Sequence, residues 1–463
     1  MVYADVFGCP VTVDNPVALD AFNKTMMGFL AHSATTPIDL VESLKAAPDF
    51  ALAHATKGLF LLTLARRELC EPARQSLSKA RQSAARTGVT GREAHFIEAL
   101  SAWLGGRPGL AIAEIEAVLR THPHDALAMK LSQAIRFMMG DLRGMRTSVE
   151  RVLPAYGEDH PAHGYTLGCH AFTLEETGEY RQAEVTGRRS LDYASNDAWG
   201  LHAVAHVYDM TGRAKEGATW LYGHETVWMH CNNFGYHVWW HLALLHLDMG
   251  EYDEVLALYD TKIRADKTDD YRDISNGASL LMRLELEGVD VGERWAELAE
   301  KSAGRVDDGC LVFADMHYLL ALLRHDDAEA ATALIAHLHQ NATTGDTDMA
   351  AVARNPGIAA CNGLEAFCKG NFDTAFKDLA QARNAMQAIG GSHAQRDVFE
   401  RMTIEAAIRA GHLREARIML DERSRLRSAD DNFARTRRGL ISRSLSRAGN
   451  MTNGARSEFH LGV

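Results

Sequence analysis

The sequence predicts an all-α protein, a superhelical stack of antiparallel helix pairs. Three observations predict this class. Five glycines recur in near register, each at the end of an amphipathic segment: Gly106, Gly140, Gly178, Gly212 and Gly250. Alanine and leucine are abundant and only 10 of the 463 residues are proline, a composition that favours helix throughout. Strand patterns are scarce, and the brief run "GCPVTVDNP" near the start is the best of them.

The recurring glycines mark the turns between the two helices of a pair. Their spacings are 34, 38, 34 and 38 residues, and Gly370 and Gly411 share the same context in "KGNFDTAF" and "AGHLREAR". Glycine suits such a turn because it adopts a positive φ without steric cost. A small residue five positions later, such as Ala111, lets the two helices approach closely. We therefore expect a turn between paired helices at each of these glycines.

This pattern resembles the tetratricopeptide repeat, a helix–turn–helix unit of about 34 residues. The resemblance implies a tetratricopeptide-like α-solenoid, whose concave surface is the usual binding face. We expect residues 1–40 to be an N-terminal capping segment and residues 41–463 to be one continuous helical-repeat domain.

Charge, hydropathy and cysteine usage limit the partners and the compartment that we expect for the protein. The formal net charge is −12, and an acidic chain is a poor general partner for nucleic acid or anionic membranes, so we expect neither. No run of 18 apolar residues occurs, and we expect no signal peptide at the start. Seven scattered cysteines without a C-x-x-C pair indicate a reduced, cytoplasmic protein.

Residues 414–447 depart from the acidic average. They carry ten arginines against five acidic residues. Runs of this kind usually lie on the exposed side of a helix, so we interpret this segment as a solvated helical face.

The stretch "HETVWMHCNNFGYHVWWH", residues 224–241, holds four histidines and three tryptophans. Within it His237 and His241 are four residues apart, as are His202 and His206 upstream, so each pair shares one face of a helix. The two pairs lie on successive first helices, which pack side by side in such a stack. Four imidazoles are therefore expected to converge.

The tetratricopeptide resemblance adds an orientation for these side chains. Counting each repeat from its turn glycine, it implies that several residues of the first helices point into the concave groove: His202, His206, Asp209, His237 and Trp240. We also expect His224 and Glu225 to arrive from the intervening helix. "HETVW" is not the H-E-x-x-H metalloprotease motif, because Trp228 stands where the second histidine belongs.

Three interpretations of the cluster remain open: a packed polar seam, an organic ligand pocket, and a metal site. A site is favoured because leucines one turn further on already supply the apolar contacts of a seam. The candidate acid–base residues are His202, His206, Glu225, His237 and His241. The candidate ligand-binding residues are His224, Trp228, Trp240, Asp209 and Arg396. The candidate ligands of a divalent metal are His202, His206, His237 and His241.

Arg396 enters through the segment "GGSHAQRD", residues 390–397. Two glycines, Ser392 and Arg396 suit a phosphate-binding loop. Ser392 followed by Gln395 is also an S-x-x-Q capping box at a helix start, which we expect here. The two are compatible, because helix N-termini bind anions.

Longer motifs add a family resemblance. "DAWGLHAVAHVYDMTG", "HETVWMHCNNFGYHVWWHLALLHLDMGEYDEVLALYD", "EGVDVGERW" and "GGSHAQRDVFE" resemble the tetratricopeptide repeat protein 38 family, and the similarity runs from Pro48 to about Arg417. The resemblance implies no reaction or ligand, so it strengthens the predicted fold and leaves the function open.

The predicted function is binding of a small molecule or short peptide in a His/Trp-rich concave pocket. One alternative is an enzyme that uses the same pocket for acid–base chemistry, with or without a metal. Another is a protein–protein adaptor that binds along the groove. Whether the chain is an enzyme and whether it forms a homo-oligomer both stay open.

Overall fold

The computed structural model describes residues 1–457, and the side chains of residues 1–446. The end of the predicted repeat domain, residues 458–463, lies outside the described residues. Within the described part, two short strands, β1 (Val2–Ala4) and β2 (Pro10–Thr12), form an antiparallel hairpin, and the other regular elements are helices. The predicted all-α class is confirmed. In residues 1–457 no helix is long and apolar enough to cross a membrane.

The helices follow one another in pairs. The first half of the chain contains α1 (Pro16–Leu30), α2 (Thr36–Ala46), α3 (Ala51–Leu62), α4 (Cys70–Thr87), α5 (Gly91–Leu104), α6 (Pro108–Thr121), α7 (Ala126–Met138), α8 (Leu142–Val152), α9 (His163–Glu176), α10 (Tyr180–Tyr193), α11 (Ala198–Met210) and α12 (Ala214–Tyr222). The second half contains α13 (Phe234–Met249), α14 (Tyr252–Leu258), α15 (Tyr271–Leu286), α16 (Arg294–Ala303), α17 (Val312–Arg324), α18 (Ala328–Thr344), α19 (Asp348–Val352), α20 (Ile358–Cys368), α21 (Phe372–Arg383), α22 (His393–Arg409), α23 (Leu413–Arg427) and α24 (Asn432–Ser457). Single turns of 3₁₀ or π geometry occur at Arg67–Leu69, Leu153–Ala155, Glu225–Val227, Tyr259–Ile263, Ala353–Gly357 and Met386–Ile389.

The turn glycines behave as predicted. All seven have a positive φ, from +67° to +88°, and each lies between the helices of one pair: Gly106, Gly140, Gly178, Gly212, Gly250, Gly370 and Gly411. Three further turns were not predicted. Gly288 follows α15, and two residues that are not glycine, Ala65 and Asp326, take a positive φ after α3 and α17. The repeat register therefore continues through the middle of the chain.

The N-terminal segment reaches the middle of the stack. Helix α1 packs against α2. The predicted boundary at residue 40 falls inside α2, which spans Thr36–Ala46. In the loop between them, the carbonyl of His32 accepts a hydrogen bond of 2.8 Å from the backbone N–H of Asn232. The backbone N–H of Ala34 donates to the carbonyl of His230 at 3.1 Å. The chain start thus covers one side of α13.

The C-terminal helices cover the opposite ends of the inner helices. Arg427 of α23 pairs with Asp209 at the end of α11 at 2.7 Å. Arg437 of α24 pairs with Glu287 just after α15 at 2.8 Å. Residues of α1 and α2 line a partly enclosed cavity beside the inner helices, and α23 and α24 contact the ends of α11 and α15.

The expectation of a solvated arginine face is wrong for three arginines of this segment, whereas Arg414, Arg417, Arg425, Arg435 and Arg443 are exposed and the side chain of Arg447 lies outside the described residues. Arg423, Arg427 and Arg437 are buried and paired with carboxylates. Their partners include Asp209 and Glu287, far away along the chain. A linear charge pattern cannot show such pairing, which depends on how the stack closes.

Candidate ligand and metal site

Three inner helices, α9, α11 and α13, position the cluster. Gly168 of α9 and Gly200 of α11 lie against each other. A Cβ atom built at Gly168 would stand 3.0 Å from the backbone nitrogen of Gly200, closer than real Cβ contacts. The two glycines therefore allow a close approach of α9 and α11, which brings His206 beside Glu175.

The four histidines of α11 and α13 converge as predicted, and we name them the histidine cluster: His202, His206, His237 and His241. Their Nε2 atoms face one another. The Nε2 atom of His202 lies 2.9 Å from that of His206 and 3.1 Å from that of His237. The Nε2 atoms of His237 and His241 are 3.2 Å apart. The cluster is thus a compact group of four ring nitrogens.

Burial keeps these imidazoles neutral. His202, His206 and His241 are buried, and His237 is half-buried. Loss of solvation disfavours the imidazolium, so the pKa of His202, His206 and His241 falls well below its usual range, and the pKa of His237 falls to about 4. Neighbouring histidines lower the first three pKa values further. At neutral pH each ring therefore carries a single proton.

One outer ring nitrogen makes a hydrogen bond, and another lies near two carboxyl groups. The Nδ1 atom of His206 is 3.4 Å from the carboxyl of Glu175 and 3.9 Å from that of Glu176. The Nδ1 atom of His237 is 3.0 Å from Oδ1 of Asn276, on α15. Burial, together with the neighbouring Glu176 carboxyl, raises the pKa of Glu175 well above its usual range.

The remaining polar atoms of the group lack partners. The Nδ1 atoms of His202, His206 and His241 are buried without a hydrogen bond, as are both carboxyl oxygens of Glu175. Orphaned buried polar atoms are rare in folded proteins and call for an explanation, such as an ion.

Aromatic rings surround the cluster. His237 stacks on Trp240, with ring centroids 5.2 Å apart and planes inclined by 18°. On the other side the ring of His202 lies 5.1 Å from Trp199 and 5.2 Å from Phe234. These rings exclude water and hold the imidazoles in place.

A cavity of about 420 Å³ adjoins the cluster, and we name it the central cavity. His202 and His237 form part of its wall, together with Trp199, Phe234 and residues of α1, α3 and α7. Another cavity of about 410 Å³ has a wall dominated by paired arginines and acids of α21–α23. The central cavity is distinguished by its mainly apolar and aromatic wall rather than by its size.

Three cations stand in the wall of the central cavity: Lys57, Lys130 and Arg272. Arg272 is paired with Asp270 at 2.6 Å, and Lys57 is half-buried on α3. Lys130 is buried, with its Nζ 4.5 Å from the ring centre of Trp199 and 3.9 Å from Sγ of Cys169, to which it donates a hydrogen bond. No carboxylate oxygen of the described residues lies within 4.0 Å of this Nζ, so Lys130 is a buried cation without an ion pair among them.

Several predicted site residues lie elsewhere. His224 bonds the carbonyl of Trp220 at 2.7 Å, and Glu225 is part of a separate 3₁₀ turn. Trp228 packs edge-to-face against Trp239. Asp209 pairs with Arg427, and Trp240 is fully buried behind His237. Arg396 donates to the carbonyls of Gly390 and Gly391. None of them is part of the wall of the central cavity.

Sequence reasoning missed Glu175, Glu176, Asn276 and Lys130. The acidic pair had a signal, because "LEETG" places two carboxylates in the last turn of an inner helix, where the helix dipole disfavours negative charge. For Asn276 and Lys130 the sequence signal was weaker, because each is simply a polar residue within an inner helix.

The capping box predicted at Ser392 is confirmed. The side chain of Ser392 accepts from the backbone N–H of Gln395 at 3.3 Å, and that of Gln395 accepts from the backbone N–H of Ser392 at 2.9 Å. Both residues also line the central cavity. This segment is therefore a helix start that borders the cavity.

Comparison with known proteins supplies no family assignment, since no family model matches the chain. Among solved structures, the human IFIT1 dimer with PPP-AAAA is 13% identical, with a TM-score of 0.41 and coverage of 94% of this chain and 96% of that one. The human IFIT1 dimer with m7Gppp-AAAA is 13% identical, with a TM-score of 0.40 and coverage of 95% and 96%. The structure of Naa15/Naa10 bound to HypK-THB has 13% identity, a TM-score of 0.24 and coverage of 89% and 64%.

At these TM-scores the likenesses carry no argument about the site of this chain. One expectation is nevertheless wrong. We expected no nucleic-acid partner from net charge, whereas the IFIT1 structures are complexes with oligonucleotides. A formal charge of −12 is an average over the chain and does not describe the charge inside a groove.

Proposed function

We propose that the chain binds a small, mainly apolar organic molecule with one anionic group in the central cavity. The observation that carries the proposal is the wall itself, in which Trp199, Phe234 and Phe172 stand beside the unpaired ammonium of Lys130. Small-molecule sites combine apolar walls with a few polar groups that fix orientation in this way.

The size of the central cavity supports a small ligand. Its volume of about 420 Å³ lies within the range of about 300–1,000 Å³ that is typical of such sites. Residues of α1 and α2 line one side of the cavity, which leaves less open groove for an extended peptide or a partner helix. A small molecule is thus better supported than a short peptide or an adaptor function.

Lys130 supports an anionic group on the ligand. A buried ammonium is costly without a counter-charge, and the face of Trp199 stabilises it only in part. A carboxylate or similar anion beside its Nζ would supply a charge-assisted hydrogen bond. Arg272 is engaged by Asp270, and Lys57 is only half-buried, so Lys130 is the buried cation of the wall that gains most from an anionic ligand group.

Three finer inferences belong to the same proposal. The motifs quoted above support membership of the tetratricopeptide repeat protein 38 family. The hairpin and α1, with the start of α2, support the role of residues 1–40 as a cap. The seven free cysteines support a reduced, cytoplasmic setting.

The experiment is native mass spectrometry of the purified chain, followed by binding assays with the identified ligand. Ala134 lines the cavity on α7, and Ala134→Trp should fill it and abolish binding. Ala117→Trp, at a half-buried position of α6 outside the cavity, is the matched control. Lys130→Met should weaken binding of acidic ligands at least tenfold. Unchanged binding in Ala134→Trp would contradict the proposal.

Catalysis in the same cavity is a second candidate function. It is favoured by the position of His202 and His237 in the wall, since histidine is the side chain that general acid–base catalysis uses most often. Glu225 lies away from the cavity and drops out of this role. Incubation of the identified ligand with the protein should then yield a product, and recovery of unchanged ligand would leave binding as the function.

A further inference from the structure

We propose that the histidine cluster is a binding site for one divalent transition-metal ion, with zinc as the first candidate. The inference goes beyond the proposed ligand binding, because it rests on the four Nε2 atoms and their surroundings and not on the central cavity.

The spacing of the four nitrogens suits a tetrahedral ion. At a zinc–nitrogen distance of about 2.0–2.1 Å, ligand nitrogens in a tetrahedron stand about 3.3–3.4 Å apart. The three close Nε2 separations here are 2.9, 3.1 and 3.2 Å, and the four ligand atoms all lie within 4.8 Å of one another. A small outward shift of each ring would make room for the ion.

Hydrogen bonding alone leaves the cluster poorly satisfied. Each neutral ring brings one proton, and the acceptor beside Nδ1 of His237, the amide oxygen of Asn276, holds one of the four protons on the outside. If His202 and His241 turn their protons inward to bridge the cluster, their own Nδ1 atoms become bare buried acceptors. A cation at the centre instead receives four inward lone pairs at once.

The surroundings supply the outer contacts that metal-bound histidines use. Such histidines commonly donate their second ring N–H to a carboxylate or carbonyl oxygen. The amide oxygen of Asn276 holds this position for His237, and the Glu175 carboxyl lies 3.4 Å from Nδ1 of His206, close enough to take the same position after a small shift. The Glu176 carboxyl lies 3.9 Å from the same nitrogen, and the cation Arg283 lies 5.6 Å from the Trp240 ring.

The donor set selects the class of metal. Four neutral imidazole nitrogens suit zinc, copper or nickel, whereas calcium and magnesium require oxygen ligands.

The first test uses the full-length chain purified without chelators. Elemental analysis should find about one transition-metal ion per chain. After removal of the metal, titration with Co²⁺ alone should produce the visible absorption bands of a tetrahedral nitrogen site, and Zn²⁺ should abolish them. A wild-type chain that contains no metal and gives no Co²⁺ bands would overturn the proposal.

Variants then assign the site. His241 does not line the central cavity, and His241→Gln should reduce Co²⁺ affinity at least a hundredfold. The matched control is His317→Gln on α17, because His317 is equally buried and bonds the carbonyl of Phe313 at 2.7 Å outside the cluster. This control should bind Co²⁺ like the wild type. Equal affinity in His241→Gln and the wild type would overturn the assignment.

A third variant keeps the test decisive if His241→Gln folds poorly. His241→Cys retains a metal ligand, so it should bind Co²⁺ and add a thiolate-to-cobalt absorption band in the near ultraviolet. A Co²⁺-loaded His241→Cys chain without that band would place the ion elsewhere and overturn the proposal. Ala134→Trp should lose the organic ligand yet keep its metal, so the two proposals fail independently.

Discussion

Two buried polar groups of this protein are built on opposite principles. In the C-terminal region, Asp397 and Asp431 meet Arg401 and Arg423 at 2.6–2.9 Å, and we name these four residues the arginine–aspartate network. Nearly every charge there has a counter-charge. The histidine cluster instead brings together four groups of one kind, with Nε2 atoms turned toward each other and three Nδ1 atoms unpartnered among the described residues. The difference teaches that a charge with a counter-charge needs no further partner. Four ring nitrogens that face one point can instead bind a ligand together.

The largest loss in free energy of unfolding is expected in the arginine–aspartate network, where the charges are paired. Asp431 accepts from Arg423 at 2.6 Å and from Arg401 at 2.9 Å, so Asp431→Asn leaves buried guanidinium groups with too few carboxylates. Removing one partner of such a pair costs about 3–5 kcal/mol, which we expect as the loss in free energy of unfolding measured with urea. The neighbouring variant Asp430→Asn is the control. Asp430 pairs with Arg438 at a partly exposed position and should cost at most about 1 kcal/mol.

The same network should make the free energy of unfolding depend on pH in the acidic range. Burial alone would raise the pKa of Asp397, but Arg423 and Arg401 outweigh it and hold the pKa well below the usual range. A carboxyl whose pKa is lowered by folding adds stability above the pKa of the unfolded chain, about 3.9, and loses it as the pH falls. The free energy of unfolding should therefore drop between about pH 5 and pH 3.

Asp397→Asn is the variant that isolates this contribution. It removes the titrating group, so its stability should start lower and fall less steeply over the same interval than that of the wild type. Parallel curves for the two proteins would assign the acid sensitivity to other carboxyl groups.

The fold was predictable because its turns have a local chemistry. Positive φ at the helix ends favours glycine, so the register of Gly106 to Gly250 could be read directly. The register faded after Gly250 because Asp326 takes the same backbone conformation without being glycine, and because Gly288 stands in a different local context. Tertiary packing, rather than local preference, determines those turns.

Of the candidate site, the sequence predicted the four histidines but not the polar residues around them. The i,i+4 spacing of His202 and His206 placed both on one face, and repeat geometry brought them to His237 and His241. Glu175 and Asn276 come from other helices, at distances along the chain that no periodicity marks. The Glu225 prediction had the right chemistry, but adjacency in sequence to the cluster did not bring that carboxylate to it.

Ser392 joins the two regions, because it starts helix α22, which carries Asp397 and Arg401, and it also lines the central cavity. Ser392→Ala removes the capping-box acceptor and should lower the free energy of unfolding by about 0.5–2 kcal/mol. Ligand binding should stay unchanged if the hydroxyl acts only as a cap. A stable variant with lost binding would instead make Ser392 a ligand contact. Ser392→Thr, which keeps a capping hydroxyl, is the control for stability.

The smallest effect on stability is expected in the histidine cluster itself. In metal-free protein, His202→Gln removes a ring that faces other ring nitrogens and has an unpartnered Nδ1, so the free energy of unfolding should change by less than about 1 kcal/mol. His317→Gln, the matched buried control, should cost more, because His317 makes a 2.7 Å bond to a carbonyl.

Zinc should then separate these two variants. An ion that binds only the folded chain stabilises it by about 2.7 kcal/mol at a free concentration 100 times the dissociation constant. The wild type and His317→Gln should gain this increment in urea unfolding with added Zn²⁺, whereas His202→Gln should gain little. If His202→Gln instead loses several kcal/mol without metal and Zn²⁺ stabilises none of the proteins, the cluster is a packed polar seam. The contrast with the arginine–aspartate network would then be one of chemistry alone, because both groups would serve the fold.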